Sequence, residues 1–414
     1  MATEPRKRSG VRALVTSTLL FLSLAGFLTV TVWLNTHATG EQQFAFLAQS
    51  FLHGDLAFQE MPGPTWADTS PNNGHYYWPE GPLPAVVLMP FELVAGAFGA
   101  FFHQGFVQPL FVFTVLVIAY RIARVTGYGV EDAAYFAFSF GFATAFLGVG
   151  LLPWSWYFSQ VITCTLVFAA IAEMITRRRP WVLGVLFALV LATRVTAALG
   201  VLWCIAEILC ARDPMRKKLS SLVAIGLPIL VVAALLMVYN HARFSNPFDP
   251  GYAKALIPTN DAENRALGFF SLHHVPGNLY AMLLAGPRPV PRHHFSLALT
   301  FPYVVANPAG MSLWVTSPCL LYLLGLSHRD RTSRLLLLTS LVIAVPILLY
   351  YATGSSQFGY RFSLDFLPFL YYLLLRNYRQ QRGDLTPGFK AVVLGSALWN
   401  LYLFTGFFIW RVGW

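Results

Sequence analysis

The sequence predicts an all-α polytopic membrane protein of about 11 transmembrane helices, with a large first extracytoplasmic loop that contains juxtamembrane helices. Three observations predict it: a composition starved of charge, apolar runs of spanning length, and basic residues that collect on one side. Of 414 residues, 56% are hydrophobic, 15% aromatic and only 11% charged, where a soluble globular protein carries about 25% charged residues. That excludes a soluble enzyme of ordinary composition. A disordered chain is excluded too, because such chains are rich in charge and poor in aromatics, whereas here 35 Phe, 18 Tyr and 11 Trp need an apolar place to sit.

A spanning helix needs about 20 mostly apolar residues. The first such run, 11–34, follows Arg6, Lys7 and Arg8 and lacks a small-residue cleavage site. It reads as a retained anchor that leaves a cytoplasmic N-terminus, 1–12. A polar stretch, 35–82, then lies outside. The apolar segment 83–102 contains Pro84, Pro90, Glu92 and two glycines. Treating it as a span would put Arg121 and Arg124 outside, so it reads as a helix in or dipping into the outer leaflet, within a first extracytoplasmic loop of 35–104. The remaining spans fall at 105–122, 132–151, 159–176, 181–195, 197–211, 219–240, 309–326, 335–352, 363–376 and 391–410. A second long extracytoplasmic segment occupies 241–308, and its length marks it as functional or as membrane-surface structure. The whole chain, 1–414, reads as one integral membrane domain without internal repeats.

The basic residues test this layout. Twenty of the 28 Lys and Arg fall in the cytoplasmic segments, as the positive-inside rule requires. Orientation therefore accounts for most of the net charge of +10, and nucleic acid is not implied as a partner. Arg194, Arg243, Lys254, Arg265, Arg288, Arg292 and Arg361 lie in or beside outer loops, and Arg411 is terminal. The outer loops also hold Glu41, Asp55, Glu60, Asp68, Glu80, Asp249, Asp365 and nine of the ten histidines. Any chemistry is extracytoplasmic. Cys164, Cys204, Cys210 and Cys319 all sit in apolar runs and read as small core residues without disulfides.

Four segments carry a resemblance. They are GEQQFAFLAQSFLHG (40–54), GHYYWPEGPLPAVVLMPF (74–91), ATRVTAA (192–198) and GYRFSLDFLPFL (359–370). In this order, after a single span and before many short-looped ones, they resemble the C-type glycosyltransferases (GT-C fold). The likeness is to bacterial members similar to protein O-mannosyltransferases and aminoarabinose transferases (glycosyltransferase family 39-like). The resemblance implies transfer of a sugar from a polyprenyl-phosphate donor on the outer face of a bacterial-type plasma membrane. It covers about a quarter of the chain. Gly40 stands where the family has the first of two adjacent acids, so either Glu41 or another loop acid takes over, or the family reaction is lost.

Transfer to a hydroxyl needs a base near the acceptor and positive charge for the departing phosphate, and the planar fork of arginine suits a phosphate. Glu41, six residues past the first span, and Asp68 are the catalytic candidates; the alternative for Glu41 is a solvated loop acid. Arg194 and Arg361 are the donor-phosphate candidates, because intramembrane charge is rare without a partner or function. The competing readings are snorkelling for Arg194 and a local Arg361–Asp365 salt bridge. Substrate-contacting candidates are Asp55, His75, Tyr76, Tyr77, Trp156, Tyr157, Arg243, Tyr360 and Asp365, with the segment 243–252 (RFSNPFDPGY) and the pair Arg288 and Arg292 at lower weight. Asp55 also suits a turn next to Gly54, and the aromatic run 75–78 also suits an interfacial belt. His273–His274 and His293–His294 lack metal-ligand spacing, so no metal site or cofactor is expected, although a divalent ion stays open.

The expected partners are a polyprenyl-phosphate-linked sugar donor, an extracytoplasmic protein, glycan or lipid acceptor, and membrane lipids. Two other classes compete: a lipid-linked-sugar transporter or flippase, which calls for repeat symmetry and mid-membrane polar residues, and a non-catalytic member of the same fold.

Overall fold

The computed structural model describes residues 18, 24–37, 40–293, 298–354 and 357–406. Arg6, Lys7, Arg8, Arg12, His294, Arg411 and much of the first expected span lie outside them. The chain is mostly helical. Helix α1 (24–37) is followed by α2 (Gln43–Leu52) and a hairpin of β1 (Ser70–Asn72) and β2 (His75–Tyr77). Then come α3 (Leu83–Ala97), α4 (Gln108–Val125), α5 (Val130–Phe142), α6 (Phe146–Leu151), α7 (Ser155–Ile175), α8 (Pro180–Leu191), α9 (Val195–Ala198), α10 (Val201–Cys210) and α11 (Met215–Phe244). Helices α12 (Thr259–Ala266) and α13 (Val275–Leu283) lead to a second hairpin, β3 (Arg288–Pro291) and β4 (Leu299–Val305). Helices α14 (Leu313–Thr316), α15 (Arg331–Leu349), α16 (Leu367–Arg382) and α17 (Pro387–Phe404) complete the described chain.

Among the described residues, four helical segments are long and apolar enough to cross a membrane: Gln104–Val125, Ser155–Ile175, Met215–Phe244 and Arg331–Leu349. Helix α7 is buried on nearly all sides and packs against α4, α8 and α16. Helix α11 buries only Ile225, Arg243 and Phe244. It meets α8 where Gly184 lies so close that a Cβ there would stand 2.6 Å from the Ile225 carbonyl oxygen. Small residues of this kind let helix backbones approach.

The other expected spans are shorter or interrupted. The run 132–151 breaks into α5 and α6, because the Thr144 hydroxyl donates to the Phe140 carbonyl and accepts from the Phe146 N–H, replacing helical bonds with local ones. The run 309–326 is α14 followed by a 3-10 stretch, Pro318–Gly325, since Pro318 has no N–H to continue the helix. Broken backbone inside an apolar fold needs side-chain partners, and amides supply them. Gln108 donates to the carbonyls of Val149, Gly150 and Leu152, and Asn400 to those of Phe142 and Thr316. Cys210 is exposed at the end of α10, unlike the buried Cys164, Cys204 and Cys319. An apolar run does not say which face a terminal residue takes.

The two long polar segments fold together on one face, called here the loop face. The first hairpin pairs Ser70 with Tyr77 and Asn72 with His75. Its two turn residues, Asn73 (φ 51°) and Gly74 (φ 81°), are the pair a type I′ turn favours. The Asp68 N–H donates to the Leu256 carbonyl at 2.7 Å, and the Leu256 N–H to the Thr69 carbonyl at 2.9 Å. Arg243, at the end of α11, donates to the Trp78 carbonyl at 2.6 Å and lies 3.7 Å from the Tyr239 ring centroid. Its own carbonyl accepts from Asn72 at 2.8 Å. The Leu83 N–H donates to the Ala192 carbonyl at 3.0 Å, pinning the start of α3 to the end of α8.

Gly81 makes that last contact possible, since a Cβ there would sit 2.2 Å from the Ala192 carbonyl oxygen. Gly81→Ala is expected to destabilise the protein by about 1–3 kcal/mol, the usual cost of overpacking. Thermal unfolding in detergent, against Gly96→Ala, where no atom lies within 4 Å of an added Cβ, checks it.

Candidate functional site

Three carboxylates from the first loop meet two arginines from distant helical joints. Glu41 sits between α1 and α2, and its backbone is fixed by Gln104, whose amide donates to the Glu41 carbonyl at 3.1 Å and to Ser155 Oγ at 3.1 Å. Asp68 holds a left-handed backbone, φ 61°, which a short polar side chain tolerates. Glu80 directly precedes Gly81, at the contact with Ala192.

Arg194 lies in the break between α8 and α9. It grips Asp365 with two bonds, Nε to Oδ1 at 2.7 Å and Nη2 to Oδ2 at 3.2 Å. Thr196 Oγ1 donates to the same carboxylate. The pair is deeply buried, with side-chain exposures of 13% and 1%. This corrects the local pairing of Arg361 with Asp365. Residues 361–365 form a 3-10 turn rather than an α-helix, so Asp365 belongs to Arg194.

Arg361 is thereby left without a carboxylate. None of the ion pairs among the described residues uses it, and its buried Nε has no hydrogen-bond partner. Its backbone is fixed on both sides: the Arg361 N–H donates to Gln357 Oε1 at 3.1 Å, and its carbonyl accepts from Gln160 at 3.0 Å. The guanidinium stands 4.7 Å from the Phe362 ring centroid, 5.8 Å from that of Trp156 and 5.9 Å from that of Tyr157. A planar cation against aromatic faces is held in position without being neutralised.

The charges act on one another. Burial pushes the Glu41 carboxyl up to about 7; Asp68 raises it further and Arg361 opposes the rise. Burial raises Asp68 to about 6, against the pull of Arg361 and with Glu80 and Asp261 adding to the rise. Glu80 is raised by burial and drawn back mainly by Arg194. One buried oxygen of Glu41 and one of Glu80 have no hydrogen-bond partner. The site therefore holds acceptors of Glu41 and Glu80 and an Arg361 Nε that have no hydrogen-bond partner among the described residues, groups that in native proteins call for a partner.

The remaining predicted residues take varied places. Trp156 and Tyr157 flank Arg361, and Tyr360, buried beside it, donates to Asn278 Oδ1 at 2.9 Å. Tyr76 stacks on Trp66 with centroids 4.1 Å apart, and Tyr77 packs edge-on against Phe244. His75 is exposed at the hairpin end. Asp55 is exposed and accepts from Gln59 at 2.7 Å, in the turn after α2. Arg243 is spent on the clamp between α11 and the hairpin. His274 is buried with its Nε2 2.7 Å from the Gly268 carbonyl, while His273 pairs locally with Ser271. Among the described residues, no group of three or more His, Cys, Asp or Glu is placed to hold a metal ion.

Glu80 was counted in the sequence only as a loop acid, although its place in WPEG, just before the juxtamembrane helix, is the signal that marks it. Tyr252 was marked only as the end of the lower-weight segment 243–252, and Tyr350 and Tyr351 gave no signal. Tyr350, just after α15, packs on Phe362 beside Arg361 with ring centroids 5.9 Å apart, and Phe269 of the second loop lies 5.3 Å from both Tyr350 and Tyr351 and 6.3 Å from Tyr252.

The fold and site define a helical protein with apolar helices of membrane-spanning length and an acid-and-arginine centre under two polar loops. No family model matches the chain, and no curated protein matches it. Among solved structures, it is similar to the apo oligosaccharyltransferase of Archaeoglobus fulgidus, with a TM-score of 0.47 and 15% identity over 93% of this chain and 55% of that one. A second structure, the oligosaccharyltransferase of the same organism with an inhibitory peptide and a dolichol-phosphate, gives 0.41 and 11% over 92% and 55%. The chain thus spans about half the length of the solved structures it matches.

Two outcomes are expected. Arg361→Gln removes the charge that opposes the rise, so the Glu41 and Asp68 carboxyls should titrate higher than about 7 and 6; pH-dependent infrared difference spectra of the carboxyl band, with Glu41→Gln to assign it, check this. Asp365→Asn leaves Arg194 buried without its counter-ion and should cost about 3–5 kcal/mol, with partial recovery in Asp365→Asn/Arg194→Met, read by thermal unfolding.

Proposed function

We propose that the protein is a membrane glycosyltransferase that moves a sugar from a polyprenyl-phosphate-linked donor to an extracytoplasmic acceptor. The observation that carries this reading is the unpaired, aromatic-flanked Arg361 facing the raised carboxyls of Glu41 and Asp68 at the loop face. The resemblance of segments 40–54, 74–91, 192–198 and 359–370 to the bacterial C-type transferases agrees with it. In this reading the loop face is extracytoplasmic, the membrane is a bacterial-type plasma membrane, and the sugar is a hexose or pentose.

Glu41, ionised, takes the proton of an acceptor hydroxyl as that oxygen bonds to the anomeric carbon. The bond from the anomeric carbon to the phosphate oxygen breaks, and its electron pair leaves with the polyprenyl phosphate. Arg361 balances the charge that grows on that phosphate, where a fixed cation in a water-poor site is worth most. Asp68 tunes Glu41 and is the reserve base. Arg194, committed to Asp365, acts by holding the 361–365 turn in place. A base must be deprotonated to work, so a carboxyl raised to about 7 makes transfer increase as pH rises through that value.

The test is transfer from a panel of radiolabelled polyprenyl-phosphate sugars by purified protein in vesicles. Glu41→Gln/Asp68→Asn should lower turnover by about 10² or more. Arg361→Ala should abolish it, and Asp55→Asn should leave it within a factor of two. Full transfer by the double variant, or no sugar release from any donor by the wild type, overturns the reading.

A further inference from the structure

The second hairpin, β3 and β4, is not used by the site. It stands out in a helical protein for its surface. Leu299, Phe301 and Tyr303 on β4 are 42%, 61% and 54% exposed, and Arg288 on β3 and Arg292 just past it are exposed as well. Neither arginine takes part in an ion pair among the described residues. Between Glu263 and Asp330 the sequence contains no acid at all. A water-facing hairpin has no reason to show three large apolar side chains, and a docking surface for a basic partner would not be flanked by unopposed arginines.

Its mooring says what lies beside it. The Tyr402 hydroxyl, near the end of α17, donates to the Pro302 carbonyl in the middle of β4, and Trp399 stacks with Tyr402 at 6.1 Å. The sequence reads α17 as the last span. Tyr402 is fifteen residues along α17 from Pro387, which places it about 22 Å up the helix at 1.5 Å per residue. Trp and Tyr are the residue types that collect at membrane surfaces. Helix α17 carries apolar exposure on to the hairpin, with Leu398 70% and Trp399 37% exposed.

We propose that this hairpin is a membrane-surface element whose apolar face enters the leaflet on the loop side and whose Arg288 and Arg292 bind the phosphate of an anionic phospholipid. The inference is independent of the transferase reading.

The test uses the full chain with Cys210→Ser, which removes the exposed thiol, and a bimane label on Phe301→Cys or, separately, Tyr303→Cys. It is reconstituted in vesicles of phosphatidylcholine with phosphatidylglycerol. Brominated acyl chains should quench both labels and aqueous iodide should not. Spin-labelled phosphatidylglycerol should be preferred over phosphatidylcholine at the protein surface, and that preference should fall by roughly fivefold or more in Arg288→Gln/Arg292→Gln, given about 1 kcal/mol for each basic residue near an anionic surface. Quenching by iodide alone overturns the proposal. So does protection from both quenchers that grows with protein-to-lipid ratio, which would mark an interface between copies, and so does a phosphatidylglycerol preference unchanged in the double variant.

Discussion

The Arg194–Asp365 ion pair is the constraint on which the site depends. It joins the break after α8 to the turn before α16, segments 171 residues apart in sequence. Burying two charges is costly unless geometry and extra hydrogen bonds compensate, and here Thr196 adds a third bond to the carboxylate. Because Asp365 is taken, Arg361 has no local acid to fold onto. A guanidinium that is aromatic-flanked, outside any ion pair among the described residues and buried at its Nε follows from the neighbouring pair having formed.

The first loop reaches this centre through backbone contacts rather than through charge. Glu80 arrives because Gly81 lies on the Ala192 carbonyl, and Asp68 because its peptide bonds to Leu256. Glu41 is fixed through Gln104 and Ser155. Each carboxyl is thus placed before any ligand arrives. Pre-placed charges need little reorganisation, which is the property a reacting site requires.

Much of this was legible in the sequence. Low charge and long apolar runs announced helices in a membrane, Arg194 could be picked out as a charge in a costly place, and Glu41, Asp68, Arg361 and Asp365 by the motifs around them. What was hidden were pairings. A spacing of four between Arg361 and Asp365 suggested a helical salt bridge, but the segment is a 3-10 turn and the acid turns to Arg194. Helix breaks at Thr144 and Pro318 were hidden because hydropathy averages over a window and does not see a single hydroxyl bond or a missing N–H. Tyr350 and Tyr351 could not be read as site residues, since the sequence does not show that the end of α15 packs on Phe362.

Helix α11 is 30 residues long, about 45 Å at 1.5 Å per residue, against a hydrocarbon core of about 30 Å. Its last turn, with Arg243, is bolted to the first hairpin and so to the loops that carry Asp68 and Glu80. The helix therefore works as a ruler that sets the height of the loops carrying Asp68 and Glu80. A helix answers a change in bilayer thickness mainly by tilting, so the membrane's own dimension becomes an input to the height at which the loop acids stand.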